Sequence, residues 1–438
     1  MARIFGPAQL LSYLELTDPF QTGGEISRLA VELLLLRAAD HCAGALGLLS
    51  RPFSADRLIA AAERQTGLRA PDEHLHEPLR RLLQSFTEEA DLSCVGRAAV
   101  RWDALRFLGN GLRLRAAEQQ DRSIEREPID RPIFITGLPR SGTTFLHRLM
   151  LEDAQNRAPL VWETIYPMPG ADPDGKRAQV NRQLRTFERL APEFRGLHPL
   201  TADSPQECSE IGAHVFRSYR FDSTFHVPSY RRWLDAEGSQ EAYTFQRRFL
   251  QHLQHAMGPR RWVLKCPDHL FALHDLRAAF PDARIVFVHR DPVKVLLSLC
   301  KLTEVLRRPF SRTLDRIAIG RQESARWLAG TERMIRTCRA SPFAEPICHV
   351  FYTDLVANPQ ATLAKVYNHF HLDLDDRTAG RVARLVTDDP NGGYGRHDYR
   401  FEDHGLNADA EREKFQPYMD FFDISDERSR GRAVAGAA

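Results

Sequence analysis

Apolar residues recur every three to four positions through most of the first 126 residues, the spacing that lays a single stripe along a helix. Residues 27–49 form a long amphipathic run. Ser54 stands as an N-cap before a short helix reaching Gln65, and 79–86 and 95–119 repeat the spacing. A charged bridge, 121–132, follows, and the pattern then changes. Short apolar runs at 132–136, 261–264, 284–289 and 348–352 have the length of buried strands, each followed by a helical stretch. Strands alternating with helices predict a parallel sheet with helical crossovers. The expected organisation is an all-helical domain over 1–126, then an α/β domain over 127–438 with a helical insertion around 172–258. In such a sheet, ligands bind outside the carboxyl ends of the strands.

Composition narrows the classes without choosing among them. The 438 residues are 43% hydrophobic and 27% charged, as in ordinary globular proteins. A net charge of +2 gives no bulk electrostatic case for nucleic acid or an anionic membrane surface as partner. Seven cysteines without paired spacing argue against a disulfide framework or a zinc site. The most apolar stretch, 29–49, is interrupted by Arg37, Asp40 and His41, so no membrane span is expected. The first residues lack a cleavage pattern of the secretory type, and a cytoplasmic location is expected. Oligomeric state is not readable from the sequence.

The most informative segment is RPIFITGLPRSGTTFLHRLM, residues 131–150. An apolar strand enters a turn bracketed by Gly137 and Gly142, at the G-x-x-x-x-G spacing of a phosphate-cradling P-loop. Backbone N–H groups of such a loop and of the helix that follows converge on an anion. After Gly142, where a nucleoside-triphosphate loop has Lys and then Ser/Thr, this chain has Thr143 and Thr144, and its cation comes earlier, at Arg140. The loop is suited to an anion other than a triphosphate.

Three further constellations sit at strand ends. In RIVFVHRDPVKVLLSLCK, Arg290 follows the strand and Ser298 lies in the next helix; Asp291 before Pro292 reads as a helix N-cap rather than a metal ligand. In WVLKCPDHL, an apolar strand delivers Lys265, with His269 in the turn beyond it. In APLVWETIYP, Glu163 beside Trp162 closes an apolar run, and a carboxylate so placed can have raised proton affinity and serve as a base. Glu207 and His214, in SPQECSEIGAH, are further candidates.

Together the loop PRSGTT, the lysine strand, Arg290 with Ser298, and FYTDLVANPQATL resemble the sulfotransferase superfamily, with the pattern of large bacterial and tyrosylprotein sulfotransferases. The resemblance covers roughly residues 131–425. It implies a 3′-phosphoadenosine-5′-phosphosulfate donor, no metal, and sulfuryl transfer to a hydroxyl of a small-molecule, lipid or carbohydrate acceptor. It implies a 5′-phosphosulfate cradle of Arg140, Ser141, Gly142, Thr143 and Thr144, a 3′-phosphate seat of Arg290 and Ser298, and Tyr352 near the nucleotide. Catalytic roles would fall to Lys265 and Arg140 at the leaving group and Glu163 as general base, with Glu207, His214 and His269 as alternatives for the base. A late loop around Arg396, with Arg400 and Lys414 nearby, would cover the donor. The rival readings are a P-loop kinase or nucleotide hydrolase, which requires magnesium-dependent triphosphate binding, and a non-catalytic nucleotide-binding protein of the same fold.

Overall fold

The computed structural model describes residues 28–70, 75–168, 172–340, 346–388 and 400–427. The chain separates into two compact units, Met1–Ser50 and Arg51–Ala438. In the first, the described residues form the helix Arg28–Ala45. No helix among the described residues is long and apolar enough to cross a membrane.

The second unit begins with the helices Ala55–Thr66, His76–Glu88 and Cys94–Gln120. Ser54 caps the first of these through Arg57 N–H at 3.2 Å, as its position before the apolar repeat predicts. The apolar faces of these helices share a core with Phe216, Phe221, Phe225 and Tyr230 from the insertion, so the early helices pack as part of the same body as the sheet.

Among the described residues five strands follow, β1 (Ile133–Gly137), β2 (Asn156–Arg157), β3 (Arg261–Lys265), β4 (Arg284–His289) and β5 (Cys348–Phe351). All pairings are parallel, in the order β2-β3-β1-β4-β5. The run at 348–352 is one residue shorter as a strand than its apolar pattern suggests, because Tyr352 already opens the helix Tyr352–Ala357. Both faces of the sheet are covered. Ile133 and Ile135 of β1 join Val263, Val286 and Val288 on one side, while Phe134 joins Leu264, Ile285 and Phe287 on the other. Burial on both sides is why these strands read as unbroken apolar runs rather than alternating ones.

The crossover geometry brings the motif-bearing turns to one edge. β1 feeds the helix Thr143–Leu151, β3 feeds the turn Pro267–Phe271, and β4 feeds the helix Pro292–Arg307. With β1 central, the loops after β1, β3 and β4 are neighbours at the carboxyl end of the sheet. The insertion between β2 and β3 includes the helices Pro173–Leu190, Phe194–Leu197, Cys208–Gly212 and Gln240–Met257.

Candidate active site

The loop after β1 owes its shape to backbone that side chains resist. Gly137 has φ 140° and runs against β4; a Cβ there would stand 2.2 Å from the Val288 carbonyl oxygen. Gly142, at φ 90°, would press a Cβ to 3.0 Å from both Leu355 and Tyr352. Arg140 between them also takes a left-handed conformation, φ 61°, and Ser141 folds inward to donate to the Leu138 carbonyl at 2.6 Å. Gly142, Thr143 and Thr144 line a cleft of about 1030 Å³. The first-turn N–H groups of the following helix, which have no acceptor within the helix, therefore end at that cleft.

Arg140, Arg290, Ser298 and Tyr352 line the same cleft and form one network. Arg140 Nε donates to Ser298 Oγ at 3.1 Å and Nη1 to the Leu197 carbonyl at 2.7 Å. Arg290 Nη1 donates to the Arg140 carbonyl oxygen at 2.7 Å, and its guanidinium lies 3.8 Å from the centre of the Tyr352 ring. Asp291 caps the following helix, accepting from Val293 N–H at 3.0 Å, as its position before Pro292 predicts. Its other oxygen accepts from Arg412 at 3.0 Å.

Lys265 closes β3 opposite Ile135 of β1, with its side chain only 2% exposed. Its Nζ lies 2.5 Å from Glu207 Oε1. Glu207 stands at the N-cap position of the helix Cys208–Gly212 and lines the cleft. Burial pushes its carboxyl up, but the Lys265 ammonium, His198 and the Lys265 hydrogen bond outweigh that and hold it below the usual carboxylate range. His198 lines the cleft too. Burial and then the charge of Lys265 lower its pKa, Glu207 opposes them, and Arg140 adds to the lowering, leaving it at about 4 and the imidazole neutral at pH 7.

The structure does not bring Glu163 to this group. Its side chain is buried, one oxygen is paired with Arg157 Nη2 at 2.8 Å, and the other accepts from Leu160 N–H at 2.9 Å. It fastens the first turn of the helix Val161–Ile165, and it is not among the described residues lining the cleft. The pKa of His269 is lowered to about 3 mainly by burial; the residue bonds to the Tyr243 hydroxyl at 2.8 Å and is not among the described residues lining the cleft. His214 bonds to Asn110 and the Glu210 carbonyl, and lines a different cavity of about 650 Å³ between the early helices and the insertion. Arg400 pairs with Glu402 at 3.7 Å and Lys414 with Glu411 at 2.6 Å, neither in the cleft lining. Arg396 lies outside the described residues. Among the described residues no group of three or more His, Cys, Asp or Glu side chains is arranged to hold a metal ion.

Residues His198 and Glu427 were not distinguishable as site residues in the sequence. His198 follows the short helix Phe194–Leu197 in a segment without a motif. Glu427 lies beyond the helix Ala408–Phe422, and its carboxylate meets the Arg290 guanidinium at 3.1 and 3.2 Å.

Residues 132–376 match the family model described as "Sulfotransferase family", a span holding the loop, Lys265, Arg290 and Tyr352. The chain belongs to the sulfotransferase family. Among solved sulfotransferases, STF1 from Mycobacterium tuberculosis H37Rv is 31% identical with a TM-score of 0.73, covering 83% of this chain and 98% of that one. STF9 from Mycobacterium avium is 28% identical with a TM-score of 0.78, covering 85% and 98%. A curated relative, the omega-hydroxy-beta-dihydromenaquinone-9 sulfotransferase Stf3 of Mycobacterium bovis, is 26% identical over 254 residues, 56% of this chain. The match spans 63% of that relative, less than two thirds of its length. Within the sulfotransferase family, the P-loop-type parallel sheet expected from the strand pattern is the observed fold.

Proposed function

We propose that the cleft binds 3′-phosphoadenosine-5′-phosphosulfate and transfers its sulfuryl group to a hydroxyl of a small-molecule, lipid or carbohydrate acceptor. The observation that carries this reading is that Glu207, bonded from behind by the buried Lys265, and the Arg140–Ser298–Arg290 network line one cleft. The loop after β1 would cradle the 5′-phosphosulfate through first-turn N–H groups and Arg140. Arg290 and Ser298 would hold the 3′-phosphate, with Tyr352 beside the nucleotide. The donor supplies an activated sulfuryl group.

The chain's residues then have distinct tasks. Glu207 replaces Glu163 as the proposed base: it faces the cleft, whereas both Glu163 oxygens are engaged elsewhere. Held ionised by Lys265, Glu207 takes the proton of the acceptor hydroxyl as its oxygen bonds to sulfur. Lys265 and Arg140 meet the charge that develops on the departing phosphate oxygen as the sulfur–oxygen bond breaks. Positioning and electrostatics dominate related phosphoryl transfers, and Arg140 at the cleft, with Lys265 held against Glu207, would supply that charge.

The acceptor end combines apolar and polar lining. Phe194, Leu302 and Trp327 stand beside Ser209, Ser223 and the Arg326–Asp268 pair. The name of the mycobacterial relative concerns a hydroxylated menaquinone derivative; the element of that chemistry proposed here is a hydroxyl on a molecule with an apolar portion. The proposed location is the cytoplasm. Calorimetry with 3′-phosphoadenosine 5′-phosphate, followed by labelled-donor transfer to a panel of hydroxylated lipids, small molecules and sugars, tests the reading. Micromolar binding without magnesium and transfer to a panel member are expected. Magnesium-dependent ATP binding in place of donor binding would replace it with a kinase or hydrolase.

A further inference from the structure

We propose that Glu427 is the resident occupant of the seat for the donor's 3′-phosphate, an internal competitor that a ligand bearing that phosphate must displace and that therefore weakens the binding of such ligands alone. The inference rests on the functional reading above, which gives Arg290 to the 3′-phosphate.

A guanidinium can give two parallel bonds to an oxyanion from either of two edges, and with Nη1 of Arg290 bonded to the Arg140 carbonyl the edge left for this is Nε with Nη2. Glu427 fills it, Oε1 at 3.1 Å from Nε and Oε2 at 3.2 Å from Nη2. Arg290 Nη1 is committed to the Arg140 carbonyl, and Tyr352 covers a face of the group. A phosphate therefore gains the bidentate edge by displacing the carboxylate.

Glu427 is placed there by its own anchorage. Its N–H donates to Asp291 Oδ2 at 3.1 Å, and that oxygen also accepts from Arg412 at 3.0 Å. Arg412 in turn pairs with Asp426 at 3.2 Å. The N-cap of the helix after β4 thus holds the backbone of Glu427 beside Arg290. The Arg290 and Glu427 side chains are 22% and 17% exposed, so the pair is partly withdrawn from solvent.

Charge decides the exchange. A carboxylate brings one negative charge and two acceptor oxygens to the fork. A phosphate monoester brings up to two charges and a third oxygen, with Ser298 close by through Arg140. A ribose hydroxyl brings neither and leaves Glu427 in place. The apparent affinity of a displacing ligand is reduced by the fraction of molecules whose seat is open, so a seat open one tenth of the time weakens binding about tenfold.

The test is calorimetry on the full chain, wild type, E427Q and E427A, each checked for an unchanged thermal transition. The ligands are 3′-phosphoadenosine 5′-phosphate and adenosine 5′-phosphate. Both variants are expected to bind the first nucleotide about tenfold tighter than wild type, with less than a twofold change for the second. Equal tightening for both nucleotides would reveal a general charge effect and overturn competition specific to the 3′-phosphate. Unchanged or weaker binding of the 3′-phosphorylated nucleotide would overturn the occupancy itself. Absence of binding in wild type and both variants would instead remove the donor assignment, and this inference with it.

Discussion

Lys265 Nζ lies 2.5 Å from Glu207 Oε1, joining residues 58 positions apart in sequence. The lysine is delivered by β3 and the carboxylate by the helical insertion, so the pair forms only when the insertion folds back over the sheet end. Substituting Lys265→Ala removes the buried cation while leaving the loop after β1 intact. Turnover is expected to fall about 10²–10³-fold, with nucleotide affinity changed much less, in single-turnover kinetics paired with calorimetry. Full retained activity would take Lys265 out of the mechanism.

The two carboxylates are separable by substitution. Glu207→Gln is expected to lower kcat about 10²–10⁴-fold, the usual contribution of a general base, without changing nucleotide affinity more than a few-fold. Glu163→Ala leaves the buried Arg157 unpaired and is expected to lower stability by about 3–5 kcal/mol in urea unfolding, while the folded fraction keeps its kcat. The reverse pattern would return the base to Glu163.

Acid stability should follow the buried histidines. His147, His214 and His269 are each held at about 3, principally by burial. Unfolded, each takes up its proton near its ordinary 6.5. Between those values the unfolded chain binds more protons, so stability is present above pH 6.5 and is lost as pH falls toward 3. Each histidine steepens the loss by up to about 1.4 kcal/mol per pH unit. Urea unfolding at pH 7 and pH 5 should show the decline, and His147→Gln should make it shallower. A flat profile over that interval would contradict the burial argument.

Gly137 is the position where the loop tolerates least. Its φ of 140° and the 2.2 Å approach of a Cβ to the Val288 carbonyl act against alanine together. Gly137→Ala is expected to cost at least about 2 kcal/mol and to weaken nucleotide binding by separating β1 from β4. Gly111, inside the helix Cys94–Gln120 where a Cβ meets nothing within 4 Å, supplies the control: Gly111→Ala should leave nucleotide binding unchanged and raise stability by about 0.5–1 kcal/mol.

What the sequence made legible was what is local in the chain. The β4 boundaries, the Ser54 and Asp291 caps and the glycine bracket of the loop follow from neighbouring residues. β2 was not legible because two residues, Asn156 and Arg157, carry no strand pattern; their pairing with Arg261 and Trp262 creates it. The base was ambiguous for a related reason. Glu163 follows a tryptophan in a motif-like run, yet the burial of Arg157 decides its partner. Glu207 was visible only as one of several candidates, since its link to Lys265 depends on how the insertion folds. His198 and Glu427 offered no local signal, being defined by what surrounds them in space.

The bond from Arg140 to the Leu197 carbonyl, 2.7 Å long, ties the loop after β1 to the segment that carries His198 into the cleft. One guanidinium thus joins the proposed donor loop to the segment before His198. In the proposed reading, an acceptor that shifted Leu197 would act on the donor loop, and a donor that drew Arg140 inward would act on the segment carrying His198. Thermodynamic linkage makes the two effects equal: whatever factor one ligand confers on the other's affinity is returned in full. In the proposed reading, any coupling between the affinities of donor and acceptor would pass through a single main-chain oxygen.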